Sequence, residues 1–122
     1  MPILSVEIVT RPGESLRLGL ARELAYRTGE IFGSEPGGTW VKVHLLTRDG
    51  YAENDGTTEE SFPVFVSVLK AKLPVPEDLQ EEVARLTDAV AQVCDRPREN
   101  VHIIYQPEGA GRVAFGGRLV RG

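Results

Sequence analysis

With 122 residues, of which 41% are hydrophobic and 26% charged, the chain has the size and composition of one globular domain. Its formal net charge of −4 argues against non-specific binding to nucleic acid, which needs a basic face. Cys94 is the only cysteine, which excludes a disulfide or a cysteine zinc site within one chain, and no metal-ligand spacing such as H-E-x-x-H occurs, so we expect no metal or cofactor.

The first half of the chain has the pattern of a strand, a helix and a second strand. Residues 3–9 are apolar and β-branched, which predicts a strand that begins almost at the first residue. A break at residues 11–15 is followed by apolar positions at helical spacing, which are Leu16, Leu20, Leu24 and Ile31. We expect Gly29 or Gly33 to end this helix. Residues 40–46 alternate with a period of two, which predicts the second strand.

The second half repeats this order after a polar, acidic stretch at residues 47–62. Residues 64–69 are nearly all apolar, which predicts a central strand covered on both faces. A helix follows, because its apolar residues recur at steps of three and four: Leu79, Val83, Leu86, Val90 and Val93. Residues 101–105 predict a fourth strand, and the glycine-rich residues 108–118 predict a flexible tail or a hairpin.

An internal repeat supports this division. The segment Val43-His44-Leu45-Leu46 matches Val101-His102-Ile103-Ile104. We therefore expect one α/β (α+β) domain over residues 1–122, built from a pseudo-repeat of residues 1–46 and 63–106 with a glycine-rich tail at 107–122. Right-handed crossovers would give a four-stranded mixed sheet with both helices on one face.

The other face of that sheet would remain open and half apolar. It carries Trp40, Lys42, Leu46, His102 and Ile104 among polar residues. A two-layer domain with such a face favours a partner, and self-association through the sheet is the simplest prediction.

Pro2 is the residue with the clearest chemical potential. After removal of Met1, proline supplies a secondary amine, and a typical α-amino group has a pKa of about 7.7–8.0. Burial or nearby cations would lower that pKa, so the amine could act as a general base or attack a carbonyl. A proline at position two is also common by chance, since proline makes up about 5% of residues. Its place directly before a strand in a tandem β-α-β chain favours the functional interpretation.

The sequence resembles the tautomerase superfamily, which includes 4-oxalocrotonate tautomerase, 5-carboxymethyl-2-hydroxymuconate isomerase, malonate semialdehyde decarboxylase and macrophage migration inhibitory factor. The matching segments are Met1-Pro2-Ile3, Thr28-Gly29, Lys42-Val43-His44 and residues 113–118. The resemblance implies a trimer of β-α-β-β-α-β subunits, with Pro2 at the base of a pocket near a subunit interface. It also implies a tautomerase that acts on a small anionic carbonyl substrate through Pro2.

Further site residues follow from the same resemblance. It implies substrate binding by Lys42, Arg11, His102, Lys70 and Lys72. Glu30 and Val113 depart from the family pattern, and Gly38-Thr39 stand where the decarboxylase has an aspartate. Tautomerisation is therefore favoured over decarboxylation or hydration.

Two other interpretations remain open. Ferredoxin-like domains that bind small molecules or proteins share the same element order, and a subunit of this fold can lose its activity. The residues after Met1 lack the basic region of a signal peptide and no apolar run is long enough to span a membrane, so we expect a cytoplasmic location and no membrane partner.

Overall fold

The computed structural model describes residues 2–54 and 61–121. No helix in these two ranges combines the length and the apolar character needed to cross a membrane. The elements in chain order are β1 (Ile3–Val9), α1 (Leu20–Phe32), β2 (Trp40–Leu46), β3 (Val64–Leu69), α2 (Pro76–Cys94), β4 (Val101–Tyr105), β5 (Ala114–Phe115) and β6 (Arg118–Leu119).

The four main strands form one mixed sheet in the order β2-β1-β3-β4. β1 pairs in parallel with β2, and β3 pairs in parallel with β4, as expected for two β-α-β units. The two units meet through the antiparallel pairing of β1 with β3. The predicted fold class is confirmed, with strand boundaries at the predicted residues.

The core lies between the sheet and the two helices. Alternate residues of the central strands, among them Leu4, Val6 and Val66, are fully buried against Leu24 of α1 and Leu86 of α2. Burying each such side chain contributes about 1.5–3 kcal/mol to folding. The apolar residues therefore fix which face of the sheet the helices cover.

The first helix begins later than the sequence predicts. Leu16 continues the helical spacing, yet it lies before α1 and is 46% exposed. Gly19 adopts a left-handed backbone with φ of 82°, which breaks the chain direction just before Leu20. Gly33, with φ of 65°, ends the helix as expected.

The open face of the sheet is arranged in three rows across the strands. The first row places Trp40 beside Ile3 and Leu69, and the second runs Lys42, Ser5, Ser67 and Ile104. The third runs His44, Glu7, Phe65 and His102. Trp40 and Ile104 are 52% and 51% exposed, so this face leaves large apolar groups in water.

A buried guanidinium, that of Arg96, joins several segments at the end of the sheet opposite Pro2. It donates to the carbonyls of Val9, Phe62 and Cys94 and to both carboxylate oxygens of Glu14, at 2.7–3.1 Å. The Arg96 side chain is 1% exposed. These hydrogen bonds hold the pKa of the Glu14 carboxyl below its usual value, despite the opposing effect of burial.

Pro63 lies at the same end. It is fully buried and directly precedes β3, as Pro2 directly precedes β1. Its carbonyl accepts a hydrogen bond from the Val9 N–H at 3.0 Å.

Glu14→Gln is expected to lower the free energy of unfolding by about 3 kcal/mol near neutral pH, because it leaves Arg96 buried without a counter-charge. A carboxyl whose pKa is lower in the folded state stabilises the fold at pH values above its unfolded-state pKa. This contribution to the free energy of unfolding is lost as the pH falls through the folded-state pKa. Parent stability should therefore decline below the ordinary value of 4.5, and the variant should lack this decline. Urea denaturation across this pH range measures both effects.

Asp88→Asn is the matched control, because its ion pair with Arg98 is more than half exposed on both sides. Equal stability and equal acid dependence of the parent and Glu14→Gln would contradict the role assigned to Arg96.

Candidate active site

Pro2 is buried at the start of the central strand. It continues the alternation of β1 onto the side of Leu4, which faces the helices. Its carbonyl accepts a hydrogen bond from the Trp40 N–H at 3.0 Å. The backbone of β1 is paired on both edges, so residue 2 is held by the sheet rather than by a mobile terminus.

The chemistry at Pro2 depends on Met1, which lies outside the described residues. A proline that follows another residue has an amide nitrogen, which is neither basic nor nucleophilic. A proline at the chain end has a secondary amine, and a buried position disfavours its charged form. The site can therefore support base chemistry only when Met1 is absent.

The C-terminal tail covers the same end of the sheet. The N–H of Gly109 donates to the Lys70 carbonyl at 2.8 Å, which ties the tail to the end of β3. Beyond Gly109, β5 and β6 form a hairpin, which confirms the hairpin rather than the flexible tail for residues 108–118. The chain turns through Gly116 and Gly117, whose φ angles are 58° and 90°. The hairpin places the Phe115 ring edge-on to Trp40, with centroids 5.1 Å apart.

Lys42 lies on the open face, two residues after Trp40 and opposite Ser5. Its ammonium is exposed. Pro2 continues the other face of the same sheet, so Lys42 could reach a ligand of Pro2 only around the end of the strands.

Lys70 lies closer to Pro2 but already has a partner. Its ammonium forms an ion pair with Glu82 of α2 at 2.8 Å and lies 5.0 Å from the centre of the Phe32 ring. The other oxygen of Glu82 accepts a hydrogen bond from the Tyr105 hydroxyl at 2.6 Å. Burial, together with this hydrogen bond, raises the pKa of Tyr105. Lys72, by contrast, is exposed.

Arg11 and His102 lie away from Pro2 within one chain. Arg11 follows the far end of β1, roughly 25 Å from Pro2 by strand length. It donates to the Asp95 carbonyl at 2.8 Å and to Glu14 at 3.3 Å. His102 lies in the row of Glu7, with its ring 5.4 Å from that of Phe65. The structure thus places Lys70 beside Pro2 by register. Lys42 lies on the opposite face in the row of Ser5, and Arg11 and His102 lie farther along the sheet.

Glu82, which binds the predicted site residue Lys70, was not itself predicted from the sequence. It lies three residues after Leu79 and one before Val83, so it borders the apolar stripe of α2. A carboxylate at the margin of a buried stripe is an available signal, because such a group needs a partner. The partner, Lys70, lies in another element and is not apparent from local spacing.

No protein-family model matches the sequence, and no curated protein matches it. Solved structures match at low identity over nearly the whole chain. A fused 4-OT, described as a symmetric trimer, has a TM-score of 0.78 at 12% identity and covers 97% of this chain and 94% of its own. Macrophage migration inhibitory factor from Oncomelania hupensis has a TM-score of 0.74 at 17% identity. The alignment covers 98% of this chain and 82% of that protein.

Pt0534, in a structure of the protein inactivated by 2-oxo-3-pentynoate, has a TM-score of 0.73 at 14% identity, covering 96% of this chain and 94% of its own. Together these matches decide the fold. The chain has the tautomerase fold. The resemblance at Met1-Pro2-Ile3 and in the tail thus predicted the architecture correctly, and within the tautomerase fold Pro2 opens the central strand.

Phe115→Ala is expected to loosen the tail from Trp40, because the edge-on pair contributes about 1 kcal/mol beyond its buried area. Trp40 is the single tryptophan, so its emission reports this contact directly. The variant should show red-shifted emission and stronger quenching by acrylamide. Leu119→Ala, on the other face of the same hairpin, should leave both unchanged, and an unaltered spectrum for Phe115→Ala would contradict the packing.

Proposed function

We propose that the protein is a cofactor-independent tautomerase in which the Pro2 amine, freed by removal of Met1, is the general base. The observation that carries this proposal is the burial of Pro2 at the first position of the central strand in a tautomerase fold. A rigid amine shielded from water can remain uncharged near neutral pH, as proton abstraction requires.

The proposed reaction moves one proton and leaves the composition of the substrate unchanged. The Pro2 nitrogen takes a proton from the carbon beside the ketone of a small 2-oxo acid, and an enolate forms. The resulting ammonium returns the proton to the oxygen or to a conjugated carbon. Lys42 would bind the substrate carboxylate and offset the enolate charge. Its ammonium would act as a point charge, whereas an arginine would form two parallel hydrogen bonds to the carboxylate.

A trimer would complete the site. Arg11 and His102 lie too far along the sheet to reach Pro2 in their own chain, so a role for either requires a neighbouring subunit. The half-apolar open face offers the surface for such assembly. The trimeric state described for the fused 4-OT supports the same arrangement here.

Pro2→Ala is the direct test. We expect enolisation of phenylpyruvate or ketonisation of 2-hydroxymuconate to slow by about 100-fold, the lower range for loss of a positioned general base. Pro12→Ala, which changes an exposed proline, should keep the parental rate. Equal rates for Pro2→Ala and the parent would remove Pro2 from the mechanism.

Intact mass must accompany this assay, because a protein that keeps Met1 favours the binding-module alternative. A second measurement uses 2-oxo-3-pentynoate, the compound that inactivates Pt0534. A conjugated ynone is attacked by an uncharged amine, so one equivalent should add to the Met-free protein at Pro2. Peptide mapping that locates the adduct elsewhere would contradict the assignment.

Ile104→Glu is expected to shift the protein from trimer towards monomer, because it places a charge on the open face at the edge strand β4, where Ile104 is half exposed. Light scattering coupled to gel filtration measures the change. Leu18→Glu is the matched control, since Leu18 is exposed and lies outside the sheet. An unchanged mass for Ile104→Glu would exclude the open face as the interface.

A further inference from the structure

The end of the antiparallel ladder places Lys70 opposite Pro2. Ile3 pairs with Leu69, so the next residue outward on each strand is Pro2 on β1 and Lys70 on β3. Directly opposed residues share one face of a sheet and lie about 5 Å apart at Cβ. Both residues lie on the face that the helices cover, one row beyond Leu4.

The Lys70–Glu82 ion pair is largely removed from water. The two side chains are 17% and 12% exposed, and both Glu82 oxygens are occupied, one by Lys70 and one by the Tyr105 hydroxyl. The Phe32 ring lies against the ammonium. Burying such a pair has a desolvation cost that apolar residues of similar size would avoid, so packing alone gives no reason for it.

The two residues of the pair are attached to different elements near Pro2. Lys70 directly follows β3, at the register position opposite Pro2, whereas Glu82 lies on α2. A nearby cation disfavours protonation of an amine, and a nearby carboxylate favours it. Lys70 and Tyr105 each donate to one Glu82 oxygen, so a Pro2 ammonium would compete with both of them for this carboxylate.

We infer that Lys70 and Glu82 form a positioning pair that keeps the Pro2 amine unprotonated, with Tyr105 fixing the carboxylate. This inference rests on the proposed function for the existence of a free amine. It assigns to Lys70 a role through Pro2 rather than through the substrate, and it adds Glu82 and Tyr105 to the site.

Other charged groups at this end of the molecule are solvated. Those on the surrounding segments are all exposed, so water and salt screen them: Glu30, Glu35, Lys42, Lys72, Glu108, Arg112 and Arg118. The buried pair is therefore the charge arrangement with the strongest effect on Pro2 among the described residues.

The test is a titration of the Pro2 nitrogen in Met-free protein labelled with ¹⁵N-proline. A secondary amine resonates apart from the other prolines, which are amides. Lys70→Met should raise the pKa of Pro2 by about one unit, since it leaves the Glu82 charge free to pair with the ammonium. Glu82→Gln should lower the pKa of Pro2 by about one unit, because Lys70 is then unopposed.

The opposite signs of the two pKa shifts separate this role from a purely structural one. Loss of a structural contact would shift the pKa of Pro2 in the same direction in both variants. The pKa of Pro2 in the double variant should lie between the values of the two single variants. Arg98→Met, which breaks the exposed ion pair with Asp88, should leave the pKa of Pro2 unchanged. If either single variant fails to fold, Tyr105→Phe keeps both charges, frees one Glu82 oxygen and should raise the pKa of Pro2.

Shifts of the same sign, or none, would overturn the inference. A higher KM for Lys70→Met with an unchanged Pro2 titration would also overturn it and return Lys70 to substrate binding. The titration is read without substrate, so it is independent of the Pro2→Ala assay. An inactive but titrating amine would refute the proposed function alone, whereas a protein that retains Met1 contradicts both proposals.

Discussion

The double pairing of β1 is the constraint on which the rest of the structure depends. β1 bonds to β2 in parallel and to β3 in antiparallel fashion, and the second pairing joins the two β-α-β units in one sheet. Its inward residues are fully buried, so the strand has little freedom to shift register. Pro2 directly precedes this strand, so the paired backbone of β1 also restricts the position of Pro2. A reactive nitrogen there would be oriented before any substrate arrives.

The helix-covered side of the sheet holds one buried ion pair at each end. At the far end, Arg96 bonds to Glu14 and to three backbone carbonyls from separate segments, which explains its burial by structure alone. At the near end, Lys70 contacts Glu82 and an aromatic ring, and within residues 2–54 and 61–121 its ammonium joins no comparable set of carbonyls. The Arg96–Glu14 pair therefore joins segments of the fold, whereas the Lys70–Glu82 pair is the one that we propose to act on Pro2.

The sequence was most informative where structure follows from local periodicity. Alternation and glycine or proline boundaries placed all four main strands, and the resemblance at Met1-Pro2-Ile3 directed attention to Pro2. Local periodicity also misled, since Leu16 keeps the helical spacing although Gly19 has turned the chain. The Lys70–Glu82 and Arg96–Glu14 contacts were not predicted, because each joins residues that are distant along the chain. Such partners are determined by packing, and the spacing of one segment does not contain them.

Pro63 shows what the duplicated architecture implies for stoichiometry. It holds the position before β3 that Pro2 holds before β1, and both prolines are buried. Its nitrogen, however, is bonded to the Phe62 carbonyl, whose oxygen accepts a hydrogen bond from Arg96. An amide in that place has no electron pair to offer. Under the proposed function, each chain therefore has one reacting nitrogen for its two β-α-β units, and the end of the sheet at Pro63 has none.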